Sequence, residues 1–221
     1  MTSTPEPSRP SGPRTDVSAG RAPDGVEYDA TTALVVVDLQ NDFADPAGGL
    51  AVRGGDELAA VLAPHLAAAR AAGSLVVLTQ DWHPPRTPHF DTDGGPWPVH
   101  CVADTWGAQL VEGLAVRDDD PVVRKGTDGG DGYSGFSVRD PASGEVARTA
   151  LQGVLDARGV RRVVVAGLAG DVCVAATAVD SAGLGYDTVL PVALTRFVEL
   201  QPGDAERAMD RVRDAGVTVL G

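Results

Sequence analysis

Positive charge and cysteine are both scarce in this sequence. Lys and Arg together number 18 against 31 Asp and Glu, which gives a formal net charge of -13 at pH 7. Such a chain repels nucleic-acid phosphates and anionic membrane surfaces, so both are disfavoured as partners. The two cysteines, Cys101 and Cys173, stand in different contexts, and a domain of this size does not need a disulfide. We therefore expect reduced thiols, a cytoplasmic location and a small-molecule partner.

Long hydrophobic runs are absent as well. No apolar stretch approaches the roughly 20 residues of a membrane-spanning helix, and the N-terminus lacks a basic start followed by an apolar segment. We expect a soluble protein that is not exported. Its 221 residues, 43% of them hydrophobic, suffice for the core of one ordinary domain. The sequence does not decide between a monomer and a homo-oligomer.

Residues 1–30 differ in composition from the rest of the chain. They are rich in Pro, Ser, Gly, Thr and Asp and show no periodic apolar pattern. Such a segment cannot offset the entropy that it would lose on ordering. We predict a disordered tail over 1–30 and a single domain over 31–221.

Short, nearly continuous apolar runs begin at residue 33, and helical stretches lie between most of them. Runs that are β-branched and apolar on both faces are typical of buried parallel strands. This alternation predicts an α/β fold with a doubly wound, mostly parallel six-stranded sheet and helices on both faces. The runs are 33–37, 75–78, 122–123, 163–166, 188–190 and 217–220, and the predicted helices are 56–72, with a kink or a fresh start at Pro64, 149–158, 172–182 and 205–215.

Three reactive side chains stand at the edge where such a sheet binds its ligands. Asp38 follows the first run, where a half-desolvated carboxylate can act as a base or can simply cap a loop. Lys125 ends the third run and would balance charge beside a carboxylate. Cys173 opens a helix after a glycine-rich turn, where free amides and the helix dipole would lower its pKa and bind an oxyanion. A buried structural thiol is the alternative for this cysteine.

Three of the four histidines fall in one window that follows the second run. Asp81 and His83 come directly after the run, and His89 and His100 belong to one long connection. Three imidazoles and one carboxylate suit a single divalent ion, namely Zn, Fe(II) or Mn(II). A structural zinc site that uses Cys101 beside His100 is the alternative. It is disfavoured because adjacent residues in an extended chain point apart.

These motifs, in this order, resemble those of the nicotinamidase/pyrazinamidase family within the isochorismatase-like cysteine hydrolases. The resemblance extends from residue 33 to about residue 220. Each motif alone is weak, whereas the ordered set is specific. The matching segments are VVDLQNDF at 36–43, GGLAV at 48–52, TQDWHP at 79–84, GPWPVHCV at 95–102, RKG at 124–126, YSGF at 133–136 and the turn before Cys173.

The resemblance implies a metal-dependent cysteine amidase that hydrolyses nicotinamide to nicotinate and ammonia in NAD salvage. Pyrazinamide is a further candidate substrate. It implies a catalytic triad of Asp38, Lys125 and Cys173. The amides of Ala169 and Cys173 would form the oxyanion hole beside a cis Leu168–Ala169 peptide.

The same resemblance implies the metal ligands and the ring-binding residues. Phe43, Trp97 and Tyr133 would flank the planar ring of the substrate. One divalent metal ion would be bound by four ligands, which are Asp81, His83, His89 and His100. Among these, His89 corresponds to the additional histidine of the mycobacterial-type members.

The chain departs from the family pattern at two places. Gly170 and Val172 stand where the family usually has a threonine and an aromatic residue or histidine. Arg196 and Phe197 replace residues that are usually small or acidic. The resemblance therefore indicates the reaction more firmly than the substrate. An isochorismatase-like hydrolase of another small molecule and a noncatalytic binding module of the same fold are the alternatives.

Overall fold

The computed structural model describes residues 20–221, so residues 1–19 of the tail predicted over 1–30 lie outside the described residues. The strands are β1 (Thr32–Val37), β2 (Leu75–Asp81), β3 (Val122–Lys125), β4 (Ser137–Arg139), β5 (Val146–Arg148), β6 (Arg162–Gly167), β7 (Asp187–Pro191) and β8 (Thr218–Leu220). The predicted six-stranded parallel sheet is confirmed, in the strand order β3-β2-β1-β6-β7-β8, and a separate antiparallel hairpin is formed by β4 and β5.

Helices cover both faces of the sheet, as predicted. A hydrophobic cluster on one face joins Leu34 and Val36 to Leu62, and a second cluster on the other face joins Val35 to Val174. Alternating side chains of β1 enter opposite clusters because successive residues of a strand point to opposite faces. The helices are α1 (Asn41–Ala44), α2 (Leu58–Ala71), α3 (Leu151–Ala157), α4 (Cys173–Gly183) and α5 (Asp204–Asp214).

Two helix predictions need adjustment. The helix α2 continues across Pro64, so no fresh start occurs at that residue. The helix α4 was predicted to end at residue 182, but it includes Gly183. The chain turns at Gly185, which has a φ of 92°. Glycine adopts this left-handed conformation without the steric cost that a Cβ atom imposes.

Residues 20–30 differ from the prediction of a disordered tail. Val26 and Tyr28 are 3% and 5% exposed and belong to the same hydrophobic cluster as α2. The Tyr28 hydroxyl lies 3.1 Å from His65 Nδ1, and His65 Nε2 lies 3.1 Å from Asp24 Oδ1. A few apolar residues thus order this segment because α2 supplies the surface that covers them.

No helix within residues 20–221 is both long enough and apolar enough to cross a membrane.

Candidate active site

Carboxyl ends of neighbouring parallel strands bring the predicted catalytic side chains together. Asp38 follows β1, while Asp81 and Lys125 are paired in register as the last residues of β2 and β3. The chain turns sharply after β1, with Asp38 at φ of 47°. All three side chains are buried at this edge of the sheet.

Lys125 lies at the centre of this group and is the only lysine in the sequence. Its Nζ atom is 2.6 Å from Asp38 Oδ2 and 2.8 Å from Asp81 Oδ1. The ammonium also donates a hydrogen bond to the carbonyl oxygen of Gly132. A Cβ atom on Gly132 would lie 2.7 Å from Asp81 Oδ1, so glycine permits this close approach.

The sulfur of Cys173 completes the group. Cys173 is the first residue of α4, and its Sγ atom is 3.9 Å from Lys125 Nζ. One oxygen of Asp38, one oxygen of Asp81 and the sulfur lie within 4.8 Å of one another. The lysine ammonium contacts all three residues, so it supplies the positive charge that a metal ion would otherwise bring to this cluster.

Burial and ion pairing determine the charges in this group. Burial raises the pKa of Asp38, the negative charge of Asp81 adds to this effect, and Lys125 opposes it. For Lys125, burial favours the neutral amine, but the two carboxylates outweigh burial and hold its pKa well above the usual range. A carboxylate with a raised pKa beside a permanent cation is suited to accept and return a proton.

The Cys173 thiol differs from the prediction of a lowered pKa. Burial raises its pKa well above the usual range, and the two carboxylates add to this effect although Lys125 opposes it. Desolvation and two negative charges therefore outweigh the attraction of the Lys125 ammonium at this position. The resting group is a thiol, and a thiolate has to form as the proton passes to a neighbouring base.

The turn before Cys173 presents two amides beside the sulfur. Ala169 and Cys173 line the same cavity, and the Leu168–Ala169 peptide is cis, as the resemblance implied. The Cys173 amide belongs to the first turn of α4 and has no partner within the helix. Among residues 20–221, the Ala169 amide donates to no backbone acceptor in the turns and loops. These two amides are therefore the candidate hydrogen-bond donors to an oxyanion in this cavity.

The predicted histidine ligands converge beside this group. One ring nitrogen from each of His83, His89 and His100 lies within 4.8 Å of the other two, and all three rings are buried. Asp81 Oδ2 is 3.5 Å from His83 Nε2 and 3.7 Å from His100 Nε2. The four residues form a compact set of nitrogen and oxygen donors that could hold a divalent ion.

Contacts of the ring nitrogens also suit a metal. His100 Nδ1 donates to the Pro98 carbonyl and His89 Nδ1 to Asp131 Oδ1, each over 2.7 Å. Within residues 20–221, both buried nitrogens of His83 lack a hydrogen-bond partner. A buried ring nitrogen without a partner is costly unless an ion or water satisfies it. Cys101 is not part of the donor group, which argues against the alternative structural zinc site.

The predicted ring-binding residues line a cavity together with Cys173, His89 and His100. Phe43, Trp97 and Tyr133 all face it, and Trp97 Nε1 donates a hydrogen bond to the Tyr133 hydroxyl over 2.9 Å. Leu50 and Val198 complete the apolar wall. Neither residue was predicted to line the cavity. Leu50 lies in the matching segment GGLAV at 48–52, which did not indicate its role, and Val198 belongs to no matching segment.

Three polar contacts of the site were also missed. The Thr79 hydroxyl donates to Asp38 Oδ1 over 2.6 Å, Asp131 accepts from His89, and the Gly132 carbonyl accepts from Lys125. The position of Thr79 near the end of a predicted strand was an available signal. The other two contacts depend on how the loop after β3 folds back, which no local pattern indicates.

The departures from the family pattern have different locations. Val172 lines the cavity. Phe197 instead packs at Gly170, where an added Cβ atom would lie 2.7 Å from its ring. The Arg196 guanidinium donates to the carbonyls of Ala193 and Thr195, and Arg196 is not among the residues that line the cavity.

Known proteins are similar to this chain over most of its length. The model of the isochorismatase domain family matches residues 32–221. The chain belongs to the isochorismatase family. This isochorismatase-family chain is 38% identical to the nicotinamidase/pyrazinamidase of Mycobacterium tuberculosis over 193 residues, which cover 85% of this chain and 97% of that protein.

Solved structures of isochorismatase-family relatives have the same fold. PnC1 from L. infantum in complex with nicotinate has a TM-score of 0.79 and 38% identity, covering 88% of this chain and 95% of its own. The pyrazinamidase of Pyrococcus horikoshii in complex with zinc has a TM-score of 0.76 and 34% identity, covering 86% of this chain and 98% of its own.

Proposed function

We propose that this chain is a metal-dependent nicotinamidase, a cysteine amidase that hydrolyses nicotinamide to nicotinate and ammonia. The observation that supports this most directly is one set of contacts. Lys125 pairs with Asp38 and lies 3.9 Å from the sulfur of Cys173, and Cys173 lines the same cavity as His89 and His100. The relatives named nicotinamidase, which align over most of the chain, support the same substrate. Pyrazinamide is a second candidate substrate because it also presents a carboxamide on a flat ring, and one relative is named for both activities.

Acylation begins with the thiol. Asp38 takes the proton from Cys173 as Sγ forms a bond to the carboxamide carbon. The carbonyl oxygen becomes an oxyanion and accepts hydrogen bonds from the amides of Ala169 and Cys173. Asp38 then gives the proton to the amide nitrogen, the C–N bond breaks, and ammonia leaves a thioester on the sulfur.

Hydrolysis of the thioester uses the same proton transfers, with water as the nucleophile and the sulfur as the leaving group. Asp38 removes a proton from water, whose oxygen bonds to the same carbon, and the oxyanion again accepts from the two amides. The C–S bond breaks, the sulfur takes the proton back from Asp38, and the product leaves as the acid, which ionises to nicotinate in water. Lys125 remains an ammonium throughout and balances the charge of Asp38 and Asp81.

Asp81, His83, His89 and His100 would hold one divalent ion, with Zn, Fe(II) and Mn(II) as candidates. When bound, this ion would orient the substrate by interacting with the ring nitrogen of the substrate, either directly or through a water molecule. Phe43, Trp97 and Tyr133 would hold the faces of the ring, which keeps the carboxamide carbon beside Cys173.

Ammonia release from nicotinamide tests the proposal. Metal-loaded protein should release ammonia, and Cys173→Ala should release none while retaining the circular dichroism spectrum of the parent. Cys101→Ala is the matched control, because this buried thiol lies outside the proposed machinery, and its turnover should be retained. Chelation should lower turnover, and added metal should restore it. Absence of ammonia from the loaded parent would reject the substrate, and turnover by Cys173→Ala would reject the mechanism.

A further inference from the structure

One buried contact of the histidine group leads to a residue without an assigned role. His89 Nδ1 donates a hydrogen bond to Asp131 Oδ1 over 2.7 Å, and the Asp131 side chain is 14% exposed. Asp131 belongs to no motif of the family resemblance. It lies in the glycine-rich segment between β3 and β4, two residues before Tyr133.

We propose that Asp131 is a positioning residue that fixes the tautomer and orientation of His89 for metal binding. This inference rests on the proposed metal site. A hydrogen bond from Nδ1–H to a carboxylate leaves Nε2 as the only lone-pair donor of the imidazole. His89 is therefore held in the tautomer that can coordinate an ion through Nε2, and the carboxylate makes that nitrogen a better donor.

The β4–β5 hairpin holds Asp131 in place. The Asp131 amide donates to the Arg139 carbonyl over 2.7 Å, and the Arg139 amide donates to the Asp131 carbonyl over 3.1 Å. Arg139 is the last residue of β4, which is paired with β5. These two backbone hydrogen bonds fix Asp131 beside His89, so its carboxylate is oriented before any ion binds.

The hydrogen-bond partners of the Nδ1 atoms of His89 and His100 differ in charge. His100 donates to a neutral carbonyl, that of Pro98, whereas His89 donates to a carboxylate. Asp81 already shares its negative charge with Lys125 at 2.8 Å. In the described part of the chain, His89 is the only ion-pair partner of Asp131. Its charge is thus available to compensate a divalent ion through the imidazole.

Zinc affinity of the full chain tests this role without relying on turnover. Metal-free protein is titrated with Zn²⁺ in competition with a chromophoric chelator. Asp131→Asn keeps the size and the backbone contacts but removes the charge, and we expect its Kd for Zn²⁺ to rise about 10- to 100-fold. Asp128→Asn is the matched control because Asp128 is an exposed carboxylate of the same loop, and its Kd should equal that of the parent.

A double-mutant cycle with His89 shows whether the effect passes through the imidazole. In a His89→Ala background, Asp131→Asn should produce no additional loss of zinc affinity. The metal-free Asp131→Asn protein should melt at the parent temperature, which separates positioning from general destabilisation. An unchanged Kd, or an equal loss in the His89→Ala background, would overturn the inference. Failure of the parent to bind zinc would instead reject the proposed metal site, and this inference with it.

Discussion

Asp81 uses its two carboxylate oxygens for different partners. Oδ1 pairs with Lys125 at 2.8 Å, and Oδ2 faces His83 Nε2 at 3.5 Å. Burial favours the neutral acid, but Lys125 and the facing rings of His83 and His100 outweigh it and hold the pKa of Asp81 well below its usual range. One ionised carboxylate thus connects the lysine and cysteine group to the histidine group, so a change in either group alters the electrostatics of the other.

Thr79→Val tests Asp38 as the base at the residue scale. The Thr79 hydroxyl stabilises the charged form of Asp38 and so opposes the rise in its pKa. Valine removes this hydrogen bond at nearly constant shape, so the pKa of Asp38 should rise further. Because the reaction needs the ionised carboxylate, the acidic limb of the kcat/KM profile should move to higher pH.

The pH profile of nicotinamide hydrolysis provides the measurement, and Thr105→Val provides the control. Thr105 is an exposed threonine outside the cavity, so its replacement should leave the profile unchanged. An acidic limb that stays in place or moves to lower pH in Thr79→Val would contradict the role of Asp38.

At the scale of elements, burial decides which parts of the fold the sequence could predict. The strand β1 is buried along its whole length, so its apolar run was an unambiguous signal, and the position of Asp38 at its end followed. The hairpin β4–β5 has exposed or half-buried residues only, and its segments have no apolar run. Asp131 was missed for the same reason, since its place beside His89 depends on this hairpin.

The loop after β7 is held against the turn that carries Cys173. The Asp171 carboxylate accepts hydrogen bonds from the amides of Val198 and Glu199 at 3.0 and 2.8 Å. The Gly170 amide donates to the Arg196 carbonyl over 2.7 Å. These contacts place Val198 in the cavity wall, so the shape of the substrate site depends on close packing between the two segments.

Gly170→Ala tests this packing. An added Cβ atom would lie 2.7 Å from the Phe197 ring and 2.9 Å from Thr195 Oγ1. Overpacking of this kind costs about 1 to 3 kcal/mol of unfolding free energy. We expect that loss in urea denaturation, together with a raised KM for nicotinamide.

A second substitution in the same chain is the control for this overpacking. Phe197→Leu should recover part of the lost stability in Gly170→Ala, because the smaller side chain leaves room for the methyl group. Gly153→Ala provides a comparison, since nothing lies within 4 Å of its added Cβ atom. Equal stability of Gly170→Ala and the parent would show that the two segments do not pack closely.

On the scale of the whole molecule, one end of the sheet carries the proposed site and the other end packs against residues 20–30. The proposed site occupies the carboxyl ends of β1, β2, β3 and β6. Residues 20–30 lie near the amino ends of β1 and β2, where the Ser74 hydroxyl donates to the Asp29 carbonyl over 2.6 Å. The contacts by which this segment stabilises the fold therefore lie at the opposite end of the sheet from the proposed site.

Tyr28→Ala tests this separation. Truncation of a buried aromatic residue costs about 3 to 5 kcal/mol, and the variant should unfold at lower urea concentration. The kcat of the folded fraction should equal that of the parent. Tyr28→Phe retains the ring and loses only the contact with His65, so its cost should be about 1 kcal/mol. A large fall in kcat with unchanged stability would show that the segment influences the site directly.

The single, fully buried lysine also bears on covalent modification of this chain. Every other Lys or Arg position in the sequence is an arginine, and Lys125 is 1% exposed. Enzymes that attach acetyl groups or ubiquitin to an ε-amine therefore find no lysine on the folded surface. Acetylation or ubiquitination at this residue would require local unfolding, and it would neutralise the one ammonium that pairs Asp38 with Asp81.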